Sequence, residues 1–260
     1  AKSYLNQEKI LEVMLSSGTD AIHPGYGFLS ENDDFARLCE KNNINFIGPS
    51  ADSMNLCGDK MRCKAAMLKA DVPTVPGSPG IVDDAQQAEK IANEIGYPVL
   101  LKSVYGGGGR GIRLVTNDKE LQDGFDTVTS ESIAAVGKSA IIVEKFLEKT
   151  RHIEYQMCRD KHGNAVHLFE RECSIQRRNQ KLIEQTPSPI VDQAKREEIG
   201  ELVVKAAEAV DYTNLGTAEF LRADNGEFYF IEINARLQVE HPISEMVSGL
   251  DFVKLQLDIA

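Results

Sequence analysis

The chain has 260 residues, of which 42% are hydrophobic and 27% are charged, as in an ordinary soluble globular protein. Its formal net charge of −11 argues against nucleic acid or an anionic membrane as the main partner, and no apolar run approaches the roughly 20 residues of a membrane-spanning helix. The five scattered cysteines include no Cys-x-x-Cys pair, which favours free thiols in the cytoplasm, or in the mitochondrial matrix of a eukaryote, over disulfides or a zinc site.

Residues 1–47 predict alternating helices and strands. A helix begins after Asn6, and strands at 21–23 and 44–48 flank a second helix over 32–41. This is the βαβ pattern of a doubly wound parallel sheet, and its first strand is missing. The chain has no initiator methionine and stops within a helical pattern, so we expect a fragment cut at both ends.

The rest of the chain predicts three further segments. Residues 48–74 read as a helical linker that ends in a proline-containing boundary. Residues 75–146 predict a compact α/β unit with a helix at 84–95 and strands at 98–102, 112–115 and 140–144. Residues 147–260 predict long strands and hairpins, interrupted by a helix over 193–210.

A β-hairpin near the end of the chain predicts a metal site. A turn centred on Asn225-Gly226 places Glu219 directly opposite Glu232, with Cβ atoms roughly 5 Å apart. Like charges in that arrangement need a cation between them. Asn234 and Arg236 share the face of Glu232 because side chains alternate along a strand. Two carboxylates, an amide oxygen and a guanidinium predict a Mg²⁺–phosphate site; the alternative is an exposed strand of mixed charge.

The glycine-rich stretch 106–111 lies between two predicted strands. A Walker A loop or a Rossmann turn would open a helix instead, so neither fits. A glycine loop between strands predicts a mobile flap whose N–H groups close over phosphates, although a flexible connector has the same composition. Lys102 and Lys60 could direct their charges at the same phosphates, but either lysine alone could be a solvated surface residue.

Two weaker patterns precede and follow residue 150. Glu144 to Leu147 leave the second predicted unit, where backbone groups could meet an adenine edge. His152 shares one strand face with Glu154 and Gln156, although a lone strand histidine is more often structural.

A basic island over residues 172–181 suggests anion binding, because the rest of the chain is acidic. Further along, Arg236 and Glu240 lie four residues apart. The guanidinium can hold a planar oxyanion by two parallel N–H bonds, and the carboxylate can serve as a general base beside it.

Several long stretches together resemble the biotin carboxylase family, namely residues 23–32 (HPGYGFLSEN), 58–60 (GDK), the glycine loop, 172–178 (ECSIQRR) and 238–242 (QVEHP). The resemblance runs from end to end. It implies an α/β ATP-grasp fold, α+β in its C-terminal part. The parts would be a partial N-terminal Rossmann-like preATP-grasp domain (1–47), the linker (48–74), a mobile glycine-rich lid (75–146) and an incomplete C-terminal ATP-grasp subdomain (147–260).

The resemblance also implies roles for individual residues. The nucleotide-binding residues would be Lys60, Lys102, Gly108, Gly109, Glu144, Lys145, Leu147, His152, Gln176, Asn179, Glu219 and Glu232. The metal would be held by Glu219, Glu232 and Asn234, and bicarbonate by Lys181, Arg236, Gln238, Val239 and Glu240, with Lys181, Arg236 and Glu240 catalytic. Asn179 stands where many family members have histidine, and Ala235 replaces a common threonine.

The implied activity is that of an ATP-dependent carbon–nitrogen ligase that carboxylates biotin. Bicarbonate and ATP would form carboxyphosphate, with Mg²⁺ or Mn²⁺ as the metal and biotin, on a carrier domain or protein, as acceptor. A carboxyltransferase would be a further partner, in a homodimer or larger assembly. Two alternatives remain: a nucleotide-binding module without turnover, and another ATP-grasp ligase such as a carbamoyl phosphate synthetase. The final acceptor is left open.

Overall fold

The structure, a computed structural model, describes residues 3–105, 111–178 and 180–260. Three predicted site residues, Gly108, Gly109 and Asn179, lie outside them. The described helices are α1 (Gln7–Ser17), α2 (Asp33–Lys41), α3 (Ala51–Gly58), α4 (Lys60–Lys69), α5 (Ala85–Ile95), α6 (Asp118–Val136), α7 (Gln193–Ala209), α8 (His241–Ser248) and α9 (Phe252–Ile259). The described strands are β1 (Ala21–Ile22), β2 (Asn45–Phe46), β3 (Val99–Ser103), β4 (Ile112–Val115), β5 (Ile141–Lys145), β6 (Arg151–Arg159), β7 (Ala165–Arg177), β8 (Gln180–Gln185), β9 (Asn214–Arg222) and β10 (Phe228–Asn234). Most bounds agree with the predicted ones to within one or two residues. Among the described residues, no helix is both long enough and apolar enough to span a membrane.

The chain divides into two compact units, one formed by residues 1–74 with 151–260 and the other by residues 75–150. The start of the first unit confirms the predicted helix–strand alternation. The Asn6 side chain caps α1 by accepting from the Lys9 N–H at 3.0 Å. Strands β1 and β2 pair in parallel, with Ala21 beside Asn45.

The centre of the first unit is an antiparallel sheet in the strand order β10-β9-β6-β7-β8. Alternate residues of β6, Ile153, Tyr155 and Met157, are buried in an apolar core together with Val203 of α7 and Phe220 of β9. Because side chains alternate along a strand, the remaining residues of β6 point to the opposite face of the sheet. That opposite face holds the charged residues described below.

The hairpin of β9 and β10 pairs Glu219 with Glu232, which confirms the predicted pairing. The turn itself is not where the sequence predicts it. Phe228 pairs with Arg222, so the turn is centred on Asn225, half a residue earlier than predicted. A β-bulge before Glu232 then shifts the register by one residue, and the two differences cancel at this pair.

The second unit consists of a three-stranded antiparallel sheet, β4-β3-β5, with α5 and α6 packed on it. Gly77 makes an isolated bridge to Glu144 on β5. A Cβ atom at Gly77 would lie 2.3 Å from the backbone oxygen of Val143 and 3.1 Å from the Cα of Glu144. Only glycine therefore permits this close approach to the strand that holds Glu144.

Replacing this glycine tests the packing of the second unit. We expect Gly77→Ala to lower the free energy of unfolding by about 1–3 kcal/mol, because the added methyl group meets backbone that has to shift. Urea denaturation measures the loss, and amide exchange in β5 should accelerate. Gly80→Ala is the matched control, since a Cβ there meets no atom within 4 Å. Equal stability of the two variants would contradict the described approach of Gly77 to β5.

Candidate active site

Four charged residues form a row across four neighbouring strands of the large sheet. Glu232 pairs with Glu219, Glu219 pairs with Glu154, and Glu154 pairs with Arg171. Three glutamates in succession repel one another, so cations have to lie against them. Among the described residues, the buried members of the row are contacted by the guanidinium at its end and by the ammonium of Lys181 from β8, and Lys60 lies near Glu232 at the outer end.

The Lys181 ammonium contacts three carboxylates at once. Its Nζ donates to Glu154, lies 2.9 Å from Glu219 Oε1 and 2.8 Å from Glu240 Oε1. Burial would lower the pKa of Lys181, but Glu154 and Glu219 outweigh burial and raise it above its usual range. The lysine is therefore charged and serves as the common counter-ion of these carboxylates. We call Lys181 and the three glutamates that it contacts, Glu154, Glu219 and Glu240, the carboxylate cluster.

Glu219 is the most heavily hydrogen-bonded carboxylate of the cluster. Its Oε1 accepts from Lys181, from Asn234 Nδ2 at 2.8 Å and from Gln238 Nε2 at 3.4 Å. Its Oε2 lies 2.8 Å from His152 Nε2. Burial would raise the pKa of Glu219, but the His152 contact and the Lys181 charge hold it at about 2. The side chain is therefore an anion that can face a metal ion or lysine.

His152 is oriented by Gln176. The Gln176 amide nitrogen donates to the Cys173 carbonyl and to His152 Nδ1, each at 2.8 Å. A carbonyl only accepts, so the amide nitrogen is the atom that faces both partners. Nδ1 is then the accepting ring nitrogen, and the imidazole proton lies on Nε2, the atom near Glu219.

Arg171 is one of the residues of the site that sequence reasoning missed. Its guanidinium, fully buried, donates to Glu154 Oε1 at 2.5 Å, to Gln156 Oε1 at 2.9 Å and to Thr217 Oγ1 at 3.2 Å. It also donates to Ser244 Oγ on α8 at 2.9 Å. Arg171 thus connects three strands with the helix that begins immediately after Glu240.

The turn at residues 160–164, which joins β6 and β7, does not by itself place Arg171 opposite Glu154. Near that turn Met157 pairs with His167, and the same register would bring Glu170 opposite Glu154. A bulge in β7 shifts the pairing by one residue, which places Arg171 there instead. The hairpin alone therefore predicts a repulsive pair at this position, and only the bulge converts it to an ion pair.

Arg236 lies just after β10, at the edge of the cluster. Its Nη1 donates to Gln238 Oε1 at 3.1 Å and to the Leu237 carbonyl at 3.2 Å. Its Nη2 is 3.5 Å from Asn234 Oδ1. Through Gln238 and Asn234, which both also bond Glu219, the guanidinium is connected to the carboxylate cluster.

The remaining predicted residues of the first unit differ in exposure. Glu232, at the outer end of the glutamate row, has its Oε2 3.4 Å from Lys60 Nζ, and Lys60 is exposed at the start of α4. Val239 is 61% exposed. Asn234 turns its amide nitrogen, not its oxygen, toward Glu219.

Among the described residues, two groups have the geometry of a metal site: Glu154 with Cys173 and Glu240, and the group of His152, Glu154 and Glu219. His152, Glu154 and Glu219 each offer a ligand atom, and the three atoms lie within 4.8 Å of one another. Two ionisable carboxylates beside further oxygen and amide groups are donors of the kind that Mg²⁺ prefers. The donor set therefore fits a hard divalent cation. Glu154 is one of its members, although sequence reasoning gave it no role.

In the second unit, the predicted nucleotide-binding residues that the structure describes lie on β3 and on and just after β5. Lys102 of β3 and Glu144 form an ion pair, with Nζ 2.5 Å from Oε2. The Lys145 ammonium donates to the carbonyls of Gly96 and Tyr97 at the end of α5, at 2.9 and 2.8 Å. Its side chain is thus used within the unit. Leu147 is half-buried two residues after β5.

Two family models match the chain. Residues 1–54 match the model described as biotin carboxylase, N-terminal domain, and residues 59–260 match the model described as carbamoyl-phosphate synthase L chain, ATP binding domain. The second match alone covers most of the chain.

Relatives and solved structures agree with these models. Biotin carboxylase of Nostoc sp. is 51% identical over 100% of this chain and 58% of its own length. A biotin carboxylase–βγ-ATP complex from Campylobacter jejuni is 48% identical with a TM-score of 0.91, and covers 100% of this chain and 58% of that one. The biotin carboxylase domain of Hydrogenobacter thermophilus 2-oxoglutarate carboxylase, a dimer in complex with MgADP, ADP and bicarbonate, is 53% identical with a TM-score of 0.88 over 98% of this chain and 56% of that one. The chain therefore spans little more than half the length of these three proteins.

The buried pair of Arg171 and Glu154 yields a stability test. We expect Arg171→Met to lower the free energy of unfolding by about 3–5 kcal/mol, since it leaves Glu154 buried without its neighbour in the row. Adding Glu154→Gln should recover part of that loss, because the buried carboxylate charge that Arg171 no longer faces is then gone. Urea denaturation of both variants measures the difference.

Arg37→Met is the control, because Arg37 forms an exposed pair with Asp52 whose removal should leave stability close to that of the wild type. The single variant Glu154→Gln completes the comparison. If the double variant loses as much stability as Arg171→Met and Glu154→Gln lose together when measured separately, the two charges do not compensate each other.

Proposed function

The chain belongs to the biotin carboxylase family, and we propose that it performs the ATP-dependent carboxylation of biotin with bicarbonate. The observation that carries the proposal is the buried carboxylate cluster around Lys181 next to Arg236. It brings one candidate base and two cations into one hydrogen-bonded group, as deprotonation of a small oxyanion requires. The Hydrogenobacter thermophilus relative, solved with MgADP and bicarbonate, supports the same substrates.

Glu240 is the proposed general base. Burial would raise its pKa, but the hydrogen bond and charge of Lys181 outweigh burial and lower it. The carboxylate is therefore ionised at neutral pH. Arg236 and Lys181 would hold bicarbonate beside it, with Gln238 and Val239 as further contacts of the anion.

The proposed reaction begins when Glu240 accepts the proton of bicarbonate. The resulting oxyanion attacks the γ-phosphorus of ATP, and the bond to the bridging oxygen breaks, which releases ADP and forms carboxyphosphate. Carboxyphosphate then divides into CO₂ and phosphate. The phosphate takes the proton from N1 of biotin, and N1 attacks CO₂ to give carboxybiotin. Lys181 and Arg236 stabilise the negative charge on bicarbonate and on phosphate throughout.

Mg²⁺, or Mn²⁺, is the proposed metal. Glu219, Glu232 and Asn234 would hold it, and Glu154 joins them because its carboxylate lies in the same group as that of Glu219. When bound, the ion supplies positive charge at the phosphate oxygens.

The nucleotide contacts are also proposals. In the second unit, Lys102 would contact phosphate, and Glu144, Lys145 and Leu147 would contact the adenine. Since the Lys145 ammonium bonds backbone carbonyls, its proposed adenine contact is through its backbone. In the first unit, the proposed contacts are Lys60, His152, Gln176, Glu219 and Glu232. Gly108, Gly109 and Asn179 complete the proposed set.

The wider setting rests on the relatives. We propose a biotin carrier domain or protein and a carboxyltransferase as partners, a homodimer or larger assembly, and a cytoplasmic or mitochondrial matrix location. The domain division into 1–47, 48–74, 75–146 and 147–260 is likewise proposed. A carbamoyl phosphate synthetase activity is less well supported, since the relatives named above are biotin carboxylases or biotin carboxylase domains and residues 1–54 match the biotin carboxylase N-terminal domain.

Replacement of the base is the direct test of the function. We expect Glu240→Gln to lower bicarbonate-dependent ATP hydrolysis at least 100-fold, because the amide keeps the shape but cannot accept the proton. ATP binding, measured by calorimetry, should persist. Glu198→Gln removes an exposed carboxylate of α7 and should leave both unchanged. If Glu240→Gln retains a tenth or more of the wild-type turnover, another group removes the proton.

The metal assignment has a separate test. Glu232→Gln should weaken Mn²⁺ binding about 10-fold, because the variant loses one anionic ligand at the outer end of the glutamate row. Electron paramagnetic resonance of free Mn²⁺ in the presence of ATP measures the affinity. Glu227→Gln, in the β9–β10 turn, removes the same charge outside the row and should not alter it. Unchanged affinity in Glu232→Gln would remove this residue from the metal site.

A further inference from the structure

We propose that Glu31 is a positioning residue that fixes the orientation of Arg236 for bicarbonate binding. The proposal rests on the proposed function and gives a role to a conspicuous motif, residues 23–32, that the reaction itself does not use. Glu31 does not touch the carboxylate cluster in any described contact; it acts through the guanidinium. The two residues are 205 positions apart in the chain.

Both carboxylate oxygens of Glu31 are used at the end of β10. Oε2 accepts from Arg236 Nε at 2.9 Å, and Oε1 accepts from the Ala235 backbone N–H at 3.1 Å. One contact fixes the side chain of Arg236 and the other fixes the main chain just before it. Because the carboxylate binds both the side chain of Arg236 and the preceding backbone N–H, it restricts rotation of the guanidinium plane and movement of the Arg236 Cα atom.

The remaining N–H groups of Arg236 show what this orientation achieves. Nη1 is already used by the Leu237 carbonyl and by Gln238 Oε1. Nη2 has one long contact, 3.5 Å to Asn234 Oδ1. With Nε held by Glu31, the Nη2 group is the part of the guanidinium with hydrogen-bonding capacity for a planar oxyanion.

Glu31 is itself held by its neighbours along the chain. Asn32 caps α2 by accepting from the Phe35 N–H at 2.7 Å, and it also accepts from Gln7 Nε2 at 2.9 Å. Ser30, on the other side, is buried, and its N–H donates to the Gly27 carbonyl at 2.9 Å. Both neighbours of the glutamate are therefore fixed, so its side chain extends from a defined backbone.

The loop before Glu31 has an unusual backbone. Gly25, Gly27 and Phe28 have φ values of +64°, +77° and +47°. Such a value is rare for a bulky residue like phenylalanine. Before the loop, His23 accepts from the Gly25 N–H at 3.0 Å and contacts Gln256 of α9 at 3.0 Å. The motif thus builds a tight turn with one end attached to α9 and the other presenting Glu31 to β10.

An opposite role for Glu31 is a counter-ion that weakens anion binding. Removal of its charge would then strengthen bicarbonate binding, because Arg236 would regain its full positive potential. Removal of a positioning contact would weaken it. The sign of the change therefore separates the two roles.

The experiment compares Glu31→Gln and Glu31→Ala in the full-length protein. We expect Glu31→Ala to raise the KM for bicarbonate about 10-fold or more in bicarbonate-dependent ATP hydrolysis, and Glu31→Gln to raise it less, because the amide oxygen can still accept from Nε. The KM for ATP should stay within about twofold of the wild type. Asp34→Asn, an exposed residue three positions on, is the charge-matched control and should leave all constants unchanged. A lower or unchanged KM for bicarbonate in Glu31→Ala would overturn the proposal.

A second measurement does not depend on turnover. In the wild type, the Nε–H signal of Arg236, assigned by its loss in Arg236→Lys, should exchange slowly with water. In Glu31→Ala the exchange should be at least 10-fold faster, and in Asp34→Asn it should be unchanged. Equal exchange in the wild type and Glu31→Ala would show that Glu31 does not hold Arg236. If the wild type shows this protection but no bicarbonate-dependent ATP hydrolysis, the proposed function fails while the positioning contact stands.

Discussion

The row of three glutamates across β10, β9 and β6 is the constraint on which the rest of the site depends. Two like charges roughly 5 Å apart repel each other by about 3 kcal/mol at the effective dielectric constant that suits protein sites. Glu154 and Glu219 are both buried and directly paired, so water cannot relieve that cost. The fold therefore has to supply positive charge from neighbouring elements. Arg171 provides it from β7, and Lys181 provides it from β8.

These two cations have different functions because of where they lie. Arg171 has no exposed surface, and its donors are used by Glu154, by two neighbouring strands and by Ser244. It holds α8 against the sheet and so locates Glu240, the residue before that helix. Lys181 is partly exposed and bridges three carboxylates by contacts that an incoming ligand can replace. The buried arginine stabilises the arrangement, and the partly exposed lysine is the member that we propose for contact with substrate.

The sequence predicted the fold class and the pairing of Glu219 with Glu232, because both depend on short-range patterns. Capping residues and strand alternation located the helices and strands, and the predicted Glu219–Glu232 pairing was confirmed. That success had a partly accidental basis, since a turn displaced by half a residue was offset by a bulge. The same kind of bulge in β7 brings Arg171 rather than Glu170 opposite Glu154. A single inserted residue replaces a carboxylate by a guanidinium at the position opposite Glu154. No local sequence pattern predicts where such a residue is inserted.

Glu31 lay beyond prediction for a different reason. Its partner is decided by how the N-terminal helices and parallel strands lie against the end of β10, which is a property of the tertiary fold and not of any local period. The motif that contains it was visible in the sequence as a resemblance, yet the physical reason for its last acidic residue emerges only where its oxygens meet Ala235 and Arg236. Buried glutamates need cations nearby, and at the edge of the site a cation, Arg236, is in turn held by a carboxylate. There Arg236, which we propose binds an exchangeable anion, has a permanent carboxylate against its Nε, so that its orientation does not depend on a bound anion.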